Sequence, residues 1–181
     1  MMSSKRVLTL AFLRPAEGDP CLNVWTGKVS RHNVCHVELY FETVNQCFSI
    51  IYGETAQLRF KNLSNPQYEL VSMSVTAHQY ENCLNFCRIA TQWNLEFDDP
   101  AMYRSFFCPP CCERPSQAAK RTFCSKIITE ALQHAQIQDF VNLDPARMTP
   151  SRLMDVAVRS PSKVCNSVPF KVNAMLVAGQ I

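Results

Sequence analysis

Ten cysteines and four histidines are the side chains of this 181-residue chain best suited to nucleophilic or metal chemistry. One cysteine differs from the others in its setting. Cys124 stands at the head of a segment, roughly 123 to 136, in which Ile127, Ile128, Ala131, Leu132 and Ala135 recur at helical spacing. The first turn of a helix concentrates unpaired amides and the positive end of the dipole, and both favour a thiolate. Lys120 and Arg121 lie just upstream and add positive potential. Such surroundings bring a thiol from about 8.5 into a range of roughly 3.5 to 7.5. A thiolate attacks carbonyls, whereas a thiol hardly does. The competing role for any one of ten cysteines is packing, since a buried free thiol acts as a small hydrophobe.

A nucleophile of this kind needs a base. His36 lies within 34–41, a run with a clean period of two: Cys35, Val37, Leu39 and Phe41 share one face, while His36, Glu38 and Tyr40 share the other. A strand there holds the imidazole rigidly toward whatever covers its face. The other histidines have plainer places: His32 in the preceding loop, His78 in the first turn of one helix, and His134 late in another. A cysteine presented from a helix N-terminus onto a sheet that presents a histidine is the arrangement used by papain-like enzymes.

The surrounding pattern predicts the elements that position the pair. Residues 6–13 read as a buried strand, 14–33 as a long loop, and 47–52 as the return of a hairpin. Ala56, Leu58 and Phe60 alternate, as do Val71, Met73 and Val75, for about five strands in the first 75 residues. Thr76 followed by Gln79 has capping-box form and opens a helix carrying Tyr80, Cys83, Leu84, Cys87, Ala90 and Trp93 on one stripe. Residues 97–119 read as an irregular loop, Thr149-Pro150 as the start of a short helix, and 164–177 as a final pair of strands. The whole, residues 1–181, is expected to form one domain.

Four separated motifs fall in a recognisable order: Cys35-His36-Val37-Glu38-Leu39-Tyr40-Phe41; Cys47-Phe48-Ser49-Ile50; Thr122-Phe123-Cys124-Ser125; and Met148-Thr149-Pro150-Ser151-Arg152-Leu153. Together they resemble the permuted papain-like amidase family, a circularly permuted branch of the NlpC-type cysteine hydrolases known from bacteria, large DNA viruses and eukaryote-associated sources. The resemblance spans about residues 6 to 158. It implies an α+β fold, an antiparallel sheet or half-barrel with the cysteine helix packed against it. It further implies Cys124 as nucleophile, His36 as general base and a polar third residue on the next strand, which by hairpin alignment is Ser49. Three positions depart from the family pattern: Cys35 stands where Ser often precedes the histidine, Lys126 where Glu often follows the cysteine, and Ser49 where many relatives carry a carboxylate. Glu54 or Glu38 is then available to supply the missing charge. The implied reaction is hydrolysis of an amide or peptide bond through an acyl-enzyme. Acyl transfer or lipid-ester hydrolysis by the same thiol, as in lecithin-retinol-acyltransferase-like relatives, is the alternative, and a non-enzymatic protein-binding module is a third reading.

Composition narrows the remaining classes. The net charge is only +3 and the basic residues are scattered, so no nucleic-acid partner is expected. There is no GxGxxG or GxxxxGK[ST] sequence, and no cofactor is expected. Cys108-Pro-Pro-Cys111-Cys112 has CxxC spacing, and with Cys83 and Cys87 it has enough thiols for a zinc site. The second CxxC that usually completes such a site is missing, so free thiols are the default and no metal is assigned. No apolar run reaches the ~18 to 20 residues of a membrane span, and the short apolar run near the N-terminus lacks a small-residue cleavage site. The expectation is a reduced, cytoplasmic protein, in a host cell or virion, acting on a peptide, amide or acyl substrate. Trp25 and Trp93 are candidates for a cleft lining as well as for core, Tyr40 for packing beside the imidazole, and Arg147, Arg152 and Arg159 for a solvated helix side.

Overall fold

Alternating β-branched, aromatic and polar residues build the first half of the chain into a sheet. The computed structural model describes residues 4–107 and 120–164. In chain order its elements are β1 (Lys5–Leu13), α1 (Cys21–Val29), β2 (His36–Phe41), β3 (Gln46–Ser49), β4 (Gln57–Arg59), β5 (Tyr68–Thr76) and α2 (Ala77–Gln92). There follow β6 (Glu96–Phe97), α3 (Asp99–Phe107), β7 (Arg121–Thr122), α4 (Cys124–His134), a 3-10 turn (Pro145–Arg147) and α5 (Pro150–Arg159). Strands β4-β3-β2-β1-β5 form one sheet, antiparallel throughout, and β6 pairs with β7 in parallel. The fold is therefore α+β, with helices packed against a five-stranded antiparallel sheet.

The period of two sorts the sheet's side chains. Leu8, Leu10, Phe12, Val37, Leu39, Phe41 and Phe48 point into the main core, where they meet Leu84 of α2, Ile127 and Ile128 of α4, and Leu153 of α5. The register sets Leu39 between Leu10 and Phe48, and Glu38 opposite Ala11. The other face carries a smaller cluster of Ala11, Tyr40, Cys47 and Leu63. It also carries Glu38, whose exposure is 0%. A carboxylate that deep requires charged or hydrogen-bonding partners.

The helix boundaries follow from local chemistry. Thr76 and Gln79 form a reciprocal capping box at the start of α2, and the Thr149 hydroxyl caps α5 ahead of Pro150. At α4 the N-cap residue is Phe123, and no side chain caps the helix.

Four loop or strand readings require correction. Residues 14–33 are not all loop, because they contain α1, and 97–119 contain α3. Both helices are short and weakly amphipathic, so packing rather than periodicity makes them. Trp25 of α1 meets Tyr103 and Phe106 of α3 with ring centroids 5.4 and 5.9 Å apart. Gly27 permits the close approach of Pro15, whose Cγ would lie 2.5 Å from any Cβ added there. Strand β3 stops at Ser49 rather than running to residue 52, since the chain turns through Gly53 at φ 78°. Phe60 falls outside β4 and is 72% exposed. The strands expected over 164–177 lie outside the described residues, except that Val164 donates to the Ser72 carbonyl at 2.8 Å. Among the described residues no helix is long and apolar enough to cross a membrane.

Candidate active site

Helix α4 begins where β2 begins, and that coincidence places Cys124 against His36. The Cys124 thiol and the His36 imidazole are in hydrogen-bond contact. The backbone N–H groups of Val37 and Ser125 also donate to the sulfur. Cys124 is 4% exposed, and the His36 side chain 12%.

The far side of the ring is held as well. His36 Nε2 lies 3.2 Å from Ser49 Oγ and 3.4 Å from Glu38 Oε1. Ser49 donates its own proton to the Val37 carbonyl at 2.8 Å, so toward the ring its oxygen can only accept. A carboxylate is likewise an acceptor. Nε2 must then carry hydrogen, which leaves Nδ1 as the nitrogen that faces the thiol. That tautomer is the one able to take the cysteine's proton.

Glu38 is the anchor of the group. Its Oε1 accepts from Lys61 Nζ and from the Tyr68 hydroxyl, the latter at 3.2 Å. The Lys61 ammonium also sits over the Tyr68 ring, 5.4 Å from its centroid. Thiolate, imidazolium, carboxylate and ammonium thus alternate in sign along one chain of contacts.

The titration of these groups follows from that alternation. Burial works against charge on His36, but the Cys124 thiolate and then Glu38 outweigh it and raise the imidazole to about 9. Burial likewise opposes ionisation of Cys124, and the imidazolium together with two backbone N–H donors brings the thiol below its ordinary value. For Glu38, burial is overcome by His36 and Lys61, which hold the carboxyl at about 2. The neighbouring thiols behave oppositely: burial first, then the nearby negative charge, raises Cys35 and Cys47 to about 12.

Of the residues singled out in the sequence, the structure brings Cys124, His36 and Ser49 together and adds Glu38. Glu54 is not in the group; it is 43% exposed and pairs with Arg59 at 2.7 Å. Lys61 and Tyr68 were not anticipated. Tyr68 shares a face with Leu70, a spacing readable in the sequence, but Lys61 follows a short strand in a loop and gives no such signal. Tyr40 directs its hydroxyl to Asn45 at 3.1 Å. The remaining histidines are occupied elsewhere: His32 with Asp155 at 2.9 Å, His78 with Asn82 at 3.1 Å, and His134 against the Phe86 ring. Trp93 is 60% exposed. Arg147 pairs with Asp144, Arg152 donates to the Arg147 carbonyl, and Arg159 lies 3.9 Å from Asp155.

Cys83 and Cys87 are buried neighbours on α2, while Cys108, Cys111 and Cys112 lie outside the described residues. Among the described residues no group of three or more His, Cys, Asp or Glu side chains is placed to hold a metal ion. Cys35, Cys47, Cys83, Cys87 and Cys124 are free thiols.

A cavity of about 100 Å³ opens onto the pair. Cys124, His36, Cys35 and Lys61 reach it, and its walls include Thr26 of α1 and Met102 of α3. The two helices that periodicity did not reveal therefore enclose the site. The chain matches no protein-family model, no curated protein and no solved structure.

Proposed function

We propose that this chain is a thiol hydrolase of the permuted papain-like kind, cleaving an amide or peptide bond through an acyl group carried on Cys124. The observation that carries the reading is the contact between the Cys124 thiol and His36 at the uncapped start of α4, with the far ring nitrogen held by Ser49 and Glu38. The order histidine strand, hairpin return, cysteine helix agrees with the resemblance seen in the sequence.

In this reading the thiolate attacks the substrate carbonyl carbon, and negative charge moves onto its oxygen. The Cys124 backbone N–H, in the first turn of α4, contributes to stabilising that oxygen. His36 gives its Nδ1 proton to the leaving nitrogen, the C–N bond breaks, and the acyl group remains as a thioester. His36, now neutral, takes a proton from water, whose oxygen attacks the thioester, and the acid departs as the thiol is restored. Throughout, Glu38 stabilises the imidazolium by charge and Ser49 aligns its Nε2–H.

The walls of the cavity favour a second reaction of the same thiol. Leu13, Ile51, Phe97 and Met102 present apolar surface to it, which suits a short apolar acyl group passed to an acceptor other than water.

Iodoacetamide labelling at neutral pH, read by peptide mapping, tests the nucleophile. Trypsin places Cys124 alone in residues 122–126. Labelling of that peptide well ahead of every other cysteine supports the reading. Uniform slow labelling means that Cys124 is a packing residue and the fold a binding module.

A further inference from the structure

The cavity holds a second sulfur that the proposed hydrolysis does not use. Cys35 immediately precedes His36 and lines the same cavity of about 100 Å³ as Cys124. It is 7% exposed, and its thiol rests on the Leu13 carbonyl at 3.4 Å. Cys35 lies just ahead of β2, near enough to Cys124 for the thiolate's charge to act on its thiol, so both sulfurs border the one cavity. The other described free thiols lie elsewhere: Cys47 on the opposite face beside Glu38, and Cys83 and Cys87 in the stripe of α2.

We propose that Cys124 and Cys35 form a dithiol redox centre, in which a hydroperoxide oxidises Cys124 and Cys35 closes the product to a disulfide. The proposal rests on Cys124 being the reactive thiolate of the function proposed above. In the first step the Cys124 thiolate attacks the terminal oxygen of the hydroperoxide. An S–O bond forms, the O–O bond breaks, and the departing alkoxide takes the His36 proton and leaves as an alcohol. The sulfur is oxidised by two electrons to a sulfenic acid, and the peroxide is reduced by the same two. In the second step the Cys35 sulfur attacks the Cys124 sulfur. The new S–S bond expels hydroxide, which combines with the Cys35 proton as water.

The electrostatics fit this order. While Cys124 is a thiolate, its charge adds to burial in keeping Cys35 protonated, so the two do not compete as nucleophiles. Once Cys124 is an uncharged sulfenic acid that repulsion is gone, and Cys35 ionises more readily just when its attack is needed. The disulfide blocks the nucleophile and, being reducible by thiols, protects it from irreversible oxidation to the sulfinic acid.

The test treats the full-length protein with tert-butyl hydroperoxide and maps its peptides. Trypsin separates Cys124, in residues 122–126, from Cys35, which shares residues 32–59 with Cys47. In the wild type and in Cys47→Ser these two peptides are expected to become linked, with Cys124 alkylation lost and fully restored by dithiothreitol. In Cys35→Ser, alkylation before peroxide is expected to be unchanged, no link forms, and the loss after peroxide resists dithiothreitol because Cys124 has gone on to the sulfinic acid. Fast alkylation of Cys124 combined with a link to a different cysteine, or with no link at all, overturns the redox centre alone. Slow alkylation of Cys124 in the untreated wild type removes the nucleophile and this centre together.

Discussion

Replacing Glu38 by Gln keeps the shape of a fully buried side chain and removes only its charge. Oε1 lies 3.4 Å from His36 Nε2 and also holds Lys61. An opposite charge at such range shifts a titration by about one to three pH units, worth about 1.4 to 4 kcal/mol. His36, raised to about 9 in the wild type, is therefore expected to titrate between about 6 and 8 in Glu38→Gln. The lower end of the effect is favoured, because the Lys61 ammonium already offsets part of the carboxylate. The amide still accepts from Lys61 and Tyr68, so the loss of stability is expected at about 1 to 3 kcal/mol, within reach of a folded variant. Lys61→Met provides the opposite sign. It removes a positive charge from the group while Glu38 remains, so His36 is expected to hold its proton to an equal or higher pH. The assay is a ring-proton NMR titration of His36 in the three proteins, beside the pH profile of Cys124 alkylation. An unchanged His36 titration in Glu38→Gln, or a fall of equal size in Lys61→Met, would refute the assignment of Glu38 as the charge that sustains the imidazolium.

His36→Ala leaves the Cys124 thiol with burial opposed only by two backbone N–H donors. Its alkylation profile is expected to move to higher pH, with about a tenfold slower reaction at neutral pH for each unit moved; superimposable profiles would show that the two residues do not interact. Ser49→Ala strips Nε2 of one acceptor and Val37 of its side-chain donor, so urea unfolding is expected to report about 1 kcal/mol lost, with alkylation slowed less than in His36→Ala. Stability is expected to depend on pH from both sides, as urea melts across pH will show. Glu38, at about 2 when folded against an ordinary 4.5, contributes above about pH 4.5 and loses that contribution as pH falls toward 2. His36, at about 9 against 6.5, contributes fully below about pH 6.5 and loses it as pH rises through 9; His36→Ala should flatten the alkaline side and, because His36 also holds the Glu38 carboxyl down, weaken the acid side as well.

The elements that carry the candidate site were legible because their signals are local. The alternation of 34–41 put His36 and Glu38 on the face opposite Val37 and Leu39, and the structure keeps them there. Thr76 with Gln79, and Thr149 with Pro150, opened α2 and α5 as their capping chemistry requires. Cys124 at the head of an apolar stripe marked the start of α4. Helices α1 and α3 stayed hidden because their periodicity is weak and they are held by contacts with each other, such as Trp25 on Tyr103. The choice among Ser49, Glu54 and Glu38 was equally beyond the sequence. All three lie within reach of His36 along the chain, and only packing decides which carboxylate is buried. Glu38 is sealed under Lys61 and Tyr68, brought in from after β4 and from β5, while Glu54 turns outward to Arg59. Spacing along a strand or helix fixes where a side chain points, but burial and its electrostatic consequences arise from segments distant in sequence, and only the folded chain brings those together.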